Sequence, residues 1–170
     1  MEIKWLGAVL VIAGCGSVGF MMSWNYLREL RLLRQLHRGL QFMNCELQYR
    51  LSPLPELCRK TASQLSGALQ LLFTNLANEL ERQVAPEALY CMNEALKKTT
   101  GIPESAVSIL SEMGSSLGGF DLEGQLTALG SAEAKCEWYI SNLENNRIQR
   151  TRSYQTLGLC AGAALAILLM

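Results

Sequence analysis

The segment Leu30–Leu51, LRLLRQLHRGLQFMNCELQYRL, decides the fold of this chain, because its apolar residues recur at steps of three and four. That spacing places them on one face of an α-helix. Nothing between Trp24 and Leu51 interrupts the pattern, so the helix is predicted to continue from the segment that precedes it. The predicted buried face consists of Leu30, Leu33, Leu36, Leu40, Met43, Leu47 and Leu51.

Proline and glycine residues divide the following region into further predicted helices. Ser52 is predicted to cap the N-terminus of the second helix, with Pro53 in its first turn. A third helix is predicted near Ala68–Gln83. The fourth helix restarts the chain at Pro86 and is predicted to end at Gly101 as its C-cap.

The last part of the middle region predicts two more helices. One begins at Pro103 and ends near Leu117, where Gly118 and Gly119 follow. Asp121 is then expected to cap a long final helix. The apolar face of that helix consists of Leu122, Leu126, Leu129, Cys136, Ile140 and Leu143. No window alternates apolar and polar residues as a strand would, so we expect an all-α antiparallel bundle of about six helices.

Two uncharged stretches flank this bundle. Trp5–Trp24 contains 20 residues without a charge, enough for a helix to span the ~30 Å hydrocarbon core of a membrane. Ser153–Met170 contains 18 such residues. We therefore expect membrane helices at 1–24 and 153–170 and a cytoplasmic helical bundle at 25–152. The alternative is a lipoprotein cleaved within Ile12–Cys15, although the apolar run continues beyond Cys15.

The charges of the chain indicate its topology and exclude one class of partner. Lys and Arg together number 15, as do Asp and Glu, so no strong positive field attracts nucleic acid. Only Lys4 precedes the first predicted span, whereas basic residues follow it and precede the second. This distribution places the middle region in the cytoplasm. The residues concerned are Arg28, Arg31, Arg34, Arg38, Arg147, Arg150 and Arg152.

Two residue sets are candidate interaction sites. The first is a basic stripe, which faces either anionic lipid or an acidic partner and consists of Arg28, Arg31, Arg34 and Arg38. The second is a set of small residues in the C-terminal stretch: Gly158, Gly162 and Ala166. Their four-residue spacing lets two helix backbones approach closely. The helix that packs against these small residues would be either the first predicted span or a span of another copy of the protein.

Residues with catalytic or metal-binding chemistry are few. The six cysteines form no C-x-x-C pair and are interpreted as small apolar residues in a reducing compartment. The single histidine, His37, lies between Arg34 and Arg38 and is expected to be solvated or to face lipid headgroups. No phosphate-binding loop or nucleophile elbow is present. We therefore expect no catalytic residue, no metal and no cofactor.

Several stretches resemble the stage III sporulation protein AB family, and together they cover almost the whole chain. They match in order and spacing rather than through one diagnostic motif. These stretches are Lys4–Ala8, LRQLHRGLQFMNCE at Leu33–Glu46, Ser52–Leu54, Leu117–Gly118 with Asp121 and Gln125, and the tail from Leu157 that ends in Ala164–Met170.

The resemblance implies a role that the residues alone do not. It implies that the chain is part of a trans-envelope channel in the mother-cell membrane that faces the forespore. The family's cytoplasmic domain is similar to the platform proteins of type II secretion and type IV pilus systems. The resemblance therefore implies a platform or adaptor that contacts the sporulation ATPase, stage III sporulation protein AA, and other stage III channel proteins. The alternatives are a structural channel subunit without ATPase contact and a membrane-bound Cys/His enzyme.

Overall fold

The computed structural model describes the backbone of residues 2–50, 52–82, 87–117 and 122–169, and the side chains of residues 25–50, 52–82, 87–117 and 122–145. Within these residues it contains six helices and no strand, as the sequence predicts. They are α1 (Glu2–Arg50), α2 (Leu54–Gln64), α3 (Ala68–Arg82), α4 (Ala88–Lys97), α5 (Glu104–Ser116) and α6 (Leu122–Leu169).

The chain divides into two compact units. One consists of Arg31–Ile140 and contains α2 to α5 with the adjoining parts of α1 and α6. We call it the helical unit. The other consists of Met1–Leu30 and Ser141–Met170. Among the residues whose side chains are described, no helix is long and apolar enough to cross a membrane. The predicted spans at 1–24 and 153–170 lie outside those residues.

The predicted apolar face of α1 forms the centre of the core. Every member from Leu30 to Leu47 is at most 5% exposed, and Leu51 lies outside the described residues. The face of α6 is confirmed at Leu129 and Cys136, which are both fully buried. Leu122 was also predicted on that face and is 40% exposed, so this part of the prediction is wrong. It stands at the first residue of α6, where side chains have fewer helical neighbours.

Two helix boundaries differ from those predicted. Pro53, not Ser52, is the N-cap of α2, because the Leu57 N–H donates to the Pro53 carbonyl at 2.9 Å. The Ser52 hydroxyl instead accepts a hydrogen bond from Lys60 Nζ at 3.2 Å. Helix α4 ends at Lys97, before Gly101, which adopts a φ of 87° in the connection to α5. A predicted cap at Asp121 lies outside the described residues.

Specific polar contacts join neighbouring helices of the helical unit. Helix α1 is joined to the turn after α2 by a hydrogen bond from Gln35 Nε2 to Ser66 Oγ at 2.9 Å. It is joined to α6 by a hydrogen bond from Asn44 Nδ2 to Glu133 Oε1 at 2.9 Å. The segment after α4 is joined to α3 by an ion pair between Lys98 and Glu79 at 2.6 Å. These contacts supplement the apolar core, which supplies most of the stability.

Helices α4 and α5 pack closely because of a glycine. A Cβ atom added to Gly114 would lie 2.8 Å from Cβ of Met92 and 3.6 Å from Cα of Leu89. Only a residue without a side chain fits at this distance. Another flank of α5 borders α6, and a groove lies between these two helices.

Candidate docking surfaces

The part of α1 within the helical unit presents a second regular face, which we call the outer face. Its members recur at steps of three and four and are Arg31, Arg34, Arg38, Phe42, Cys45 and Tyr49. At about 100° per residue they lie opposite the buried leucine face. Phe42 is half-buried, and the other five side chains are exposed. An α-helix with one face in the core therefore presents the other to solvent or to a partner.

The N-terminal part of the outer face is the basic stripe that the sequence predicts. Arg31, Arg34 and Arg38 are all exposed, and no acidic residue occupies a position of the outer face. Arg28 is also exposed on α1 but lies outside the helical unit, in the unit formed by Met1–Leu30 and Ser141–Met170. Exposed guanidinium groups on one helix face can bind carboxylates or phosphates through paired hydrogen bonds. Both predicted partners of the stripe, acidic protein and anionic lipid, carry groups of this kind.

The C-terminal part of the outer face consists of Phe42, Cys45 and Tyr49, which we call the aromatic end. Tyr49 is 77% exposed, the largest value among the large apolar side chains that the structure describes as exposed. Sequence reasoning missed this part of the face, although the spacing of three and four continues through it from Arg38. Exposed aromatic residues are enriched at protein interfaces, so this end of the face is a candidate contact in its own right.

A groove of about 560 Å³ lies between α5 and α6 and is entirely within the helical unit. Its apolar lining includes Ile109 and Met113 from α5, which are buried, and Ala132 from α6. Its charged lining consists of Glu112, Lys135 and Glu123. Lys135 forms an ion pair with Glu112, and Glu123 is exposed. The groove therefore combines an apolar floor with one more carboxylate than ammonium group.

The described cysteines are not alike. Cys58, Cys91 and Cys136 are buried, as predicted for small apolar residues, but Cys45 is exposed. Burial raises the pKa of the Cys58 thiol from 9.0 to about 12. Burial also raises the pKa of Cys136 to about 11, although the backbone of His37 lowers it in part. Both thiols therefore stay protonated at neutral pH, and neither is available as a nucleophile.

His37 lies closer to the core than the sequence suggests. It was expected to be solvated or to face lipid headgroups; the residue is only partly exposed, and its Nδ1 atom is buried. The contact that Cys136 makes with it is through the His37 backbone. Among the side chains that the structure describes, no group of three His, Cys, Asp or Glu residues could hold a metal ion. The predicted packing residues Gly158, Gly162 and Ala166 lie outside the side chains described.

Comparison with known proteins gives consistent results over the length of the chain. The family described as stage III sporulation protein AB matches residues 4–170. Stage III sporulation protein AB of Bacillus subtilis (strain 168) is 28% identical over 171 residues, which are 99% of each protein. A solved structure of Stage III sporulation protein AB is 25% identical and superposes with a TM-score of 0.64. That superposition covers 72% of this chain and 98% of the solved one.

Proposed function

Because the chain belongs to the stage III sporulation protein AB family, we propose that it is a non-enzymatic platform of the sporulation trans-envelope channel. In this proposal it is anchored in the mother-cell membrane that faces the forespore, with the helical unit in the cytoplasm. The helical unit contacts the sporulation ATPase, stage III sporulation protein AA, and couples it to other channel proteins. The chain itself contributes no catalytic residue.

The observation that supports this proposal best is the basic part of the outer face. Three arginines lie exposed on one helix, opposite a fully apolar core face. Such an arrangement suits a carboxylate-bearing partner surface, because each guanidinium can donate two parallel hydrogen bonds to one carboxylate. The proposed contact is therefore between Arg31 and Arg34 and an acidic surface of the ATPase.

Helices α1 and α6 would carry the mechanical coupling in this proposal. Each is a single long helix, Glu2–Arg50 and Leu122–Leu169, and each includes one of the uncharged terminal stretches. A helix transmits displacement along its axis because every turn is hydrogen-bonded to the next. Movement imposed on the helical unit by the ATPase would reach the membrane through these two helices.

The test uses the full-length chain and its ATPase, co-purified from sporulating cells. The variant Arg31→Glu/Arg34→Glu should lower ATPase recovery about tenfold or more, as loss of charge-assisted hydrogen bonds at an interface does. A matched control is Lys97→Glu/Arg82→Glu, which also reverses two exposed charges, but on α3 and α4. Recovery with the control should equal that of the unaltered chain.

The rival explanation of the stripe is attraction to anionic lipid, and a conservative variant separates the two. Arg31→Lys/Arg34→Lys keeps both charges but loses the paired donor geometry of arginine. Lipid attraction depends on charge and should persist, whereas recognition of carboxylates should weaken. Full ATPase recovery with both the Glu and the Lys variants would contradict the proposed contact and favour a structural channel subunit without ATPase contact.

A further inference from the structure

We infer that the groove between α5 and α6 binds the aromatic end of the outer face of α1 from a second copy of this chain. Both surfaces belong to the helical unit, so every copy carries one of each. This contact is separate from the arginines assigned to the ATPase and does not depend on that assignment. It would make the chain a self-assembling component.

The groove has the dimensions and chemistry of a site for a few side chains. A volume of about 560 Å³ lies within the range of pockets that enclose a ligand of moderate size. Ile109 and Met113 close the base of the groove and are each 1% exposed, so a bound side chain would contact them through only a small part of their surface. Ala128 and Ala132 keep the α6 wall low, so that a helix could approach closely.

The aromatic end of α1 supplies a suitable occupant. Tyr49 is 77% exposed and is large enough to fill the apolar floor, while its hydroxyl can reach the polar rim. Cys45 and Phe42 lie on the same face, one and two turns before it. Binding would remove the Tyr49 ring from water, and the burial of this apolar surface would favour association. The residue therefore has the character of an interface anchor.

The charges of the two surfaces are complementary. The side chain of Arg50, next to Tyr49, is 68% exposed even with its 3.7 Å contact to Glu46. The groove carries Glu123 at an exposed position beside the Glu112–Lys135 pair. An arginine brought to Glu123 would balance the excess carboxylate. Glu46 is the acidic residue of α1 beside this end, and it is shared between Arg50 at 3.7 Å and Lys60 at 3.4 Å.

This contact joins two different surfaces and is therefore heterologous. Each bound copy still offers a free groove or a free aromatic end, so the contact generates a ring or an open row of copies rather than a closed pair. An isologous contact, in which α1 faces meet each other, would stop at a dimer. The two arrangements are thus distinguishable by the sizes of cross-linked products.

Cysteine cross-linking in cells that express the full-length chain tests the inference. Ser131 lines the groove and is exposed, so Ser131→Cys adds a thiol to the groove. In the proposed contact this thiol lies near the native, exposed Cys45 of the second copy. A flexible bis-maleimide should then produce dimers, trimers and larger products. The matched control is Thr74→Cys, which places an exposed thiol on α3. A background control is Ser131→Cys with Cys45→Ser, which should give no ladder.

The interface variants provide the second readout. Tyr49→Ala should lower the cross-linked fraction about tenfold, and Glu123→Arg should do the same. Combining Glu123→Arg with Arg50→Glu should restore the ladder, because the charges are exchanged rather than removed. Three results would overturn the inference: cross-linking no greater than with Thr74→Cys, a product that stops at the dimer, or a ladder unaffected by Tyr49→Ala.

Discussion

The thiol of Cys136 on α6 donates a hydrogen bond to the backbone carbonyl of Leu33 on α1, with an Sγ–O distance of 3.2 Å. The two residues are 103 positions apart, and both are fully buried. The contact joins the first helix of the helical unit to the last. It requires a small side chain at position 136, because the thiol reaches the α1 backbone directly.

Cys136→Ala is therefore expected to destabilise the protein by about 1–2 kcal/mol, because it removes a buried sulfur atom and its hydrogen bond. Cys45→Ala removes the same atom from an exposed site of α1 and should change the free energy of unfolding by no more than about 0.5 kcal/mol. Thermal unfolding followed by far-ultraviolet circular dichroism measures both. Equal effects would show that Cys136 is not part of a packed contact.

Two glycines should respond in opposite directions to the same change. Gly114→Ala places a Cβ atom 2.8 Å from Met92 Cβ and should cost about 1–3 kcal/mol through overpacking. Gly130→Ala, inside α6, meets nothing within 4 Å and should stabilise the helix by up to about 1 kcal/mol. Unfolding by urea would measure the two free energies. A neutral Gly114→Ala would mean that α4 and α5 are not held this closely.

The hydrogen bond between Asn44 and Glu133 should contribute a measurable coupling between α1 and α6. A bond to a charged acceptor is expected to supply about 1.5–3 kcal/mol. The double-mutant cycle of Asn44→Ala and Glu133→Ala isolates that term from other effects of the substitutions. Strictly additive effects on the free energy of unfolding would indicate that the two side chains do not interact.

The buried thiols predict a loss of stability at alkaline pH. The folded state raises the pKa of Cys58 to about 12 and that of Cys136 to about 11, from an ordinary value of 9.0. Above pH 9 the unfolded chain therefore holds fewer protons on these groups than the folded chain. The contribution of the two thiols to the free energy of unfolding is therefore fully present below pH 9. It falls as the pH rises, by up to about 1.4 kcal/mol per pH unit for each thiol.

Replacing both residues, as Cys58→Ala/Cys136→Ala, should flatten that pH dependence between pH 9 and pH 11, even though the variant is less stable throughout.

Maleimide labelling with peptide mapping measures the burial of the cysteines directly. Cys45 should react in the folded protein, whereas Cys58, Cys91 and Cys136 should react only after unfolding. Labelling of Cys58 as fast as Cys45 under native conditions would contradict its burial.

Local periodicity predicted much of the fold. The three- and four-residue spacing identified the buried face of α1 from Leu30 to Leu47, and Pro103 marked the start of α5 at its observed position. The boundaries at Ser52 and Gly101 were wrong because they depended on which hydrogen bonds the folded chain makes. Lys60 donates a hydrogen bond to the Ser52 hydroxyl, and α4 ends at Lys97, before Gly101. Capping propensity alone does not include these partners.

By itself, the sequence determined the all-helical class, the core face of α1 and the basic stripe, because helical geometry converts residue spacing directly into faces. Only the tertiary structure distinguished exposed Cys45 from buried Cys58, Cys91 and Cys136, since burial depends on neighbours from distant segments. It also decided the groove between α5 and α6 and the exposure of Tyr49. A single helix specifies which residues share a face, but the packing of several helices decides which faces stay uncovered.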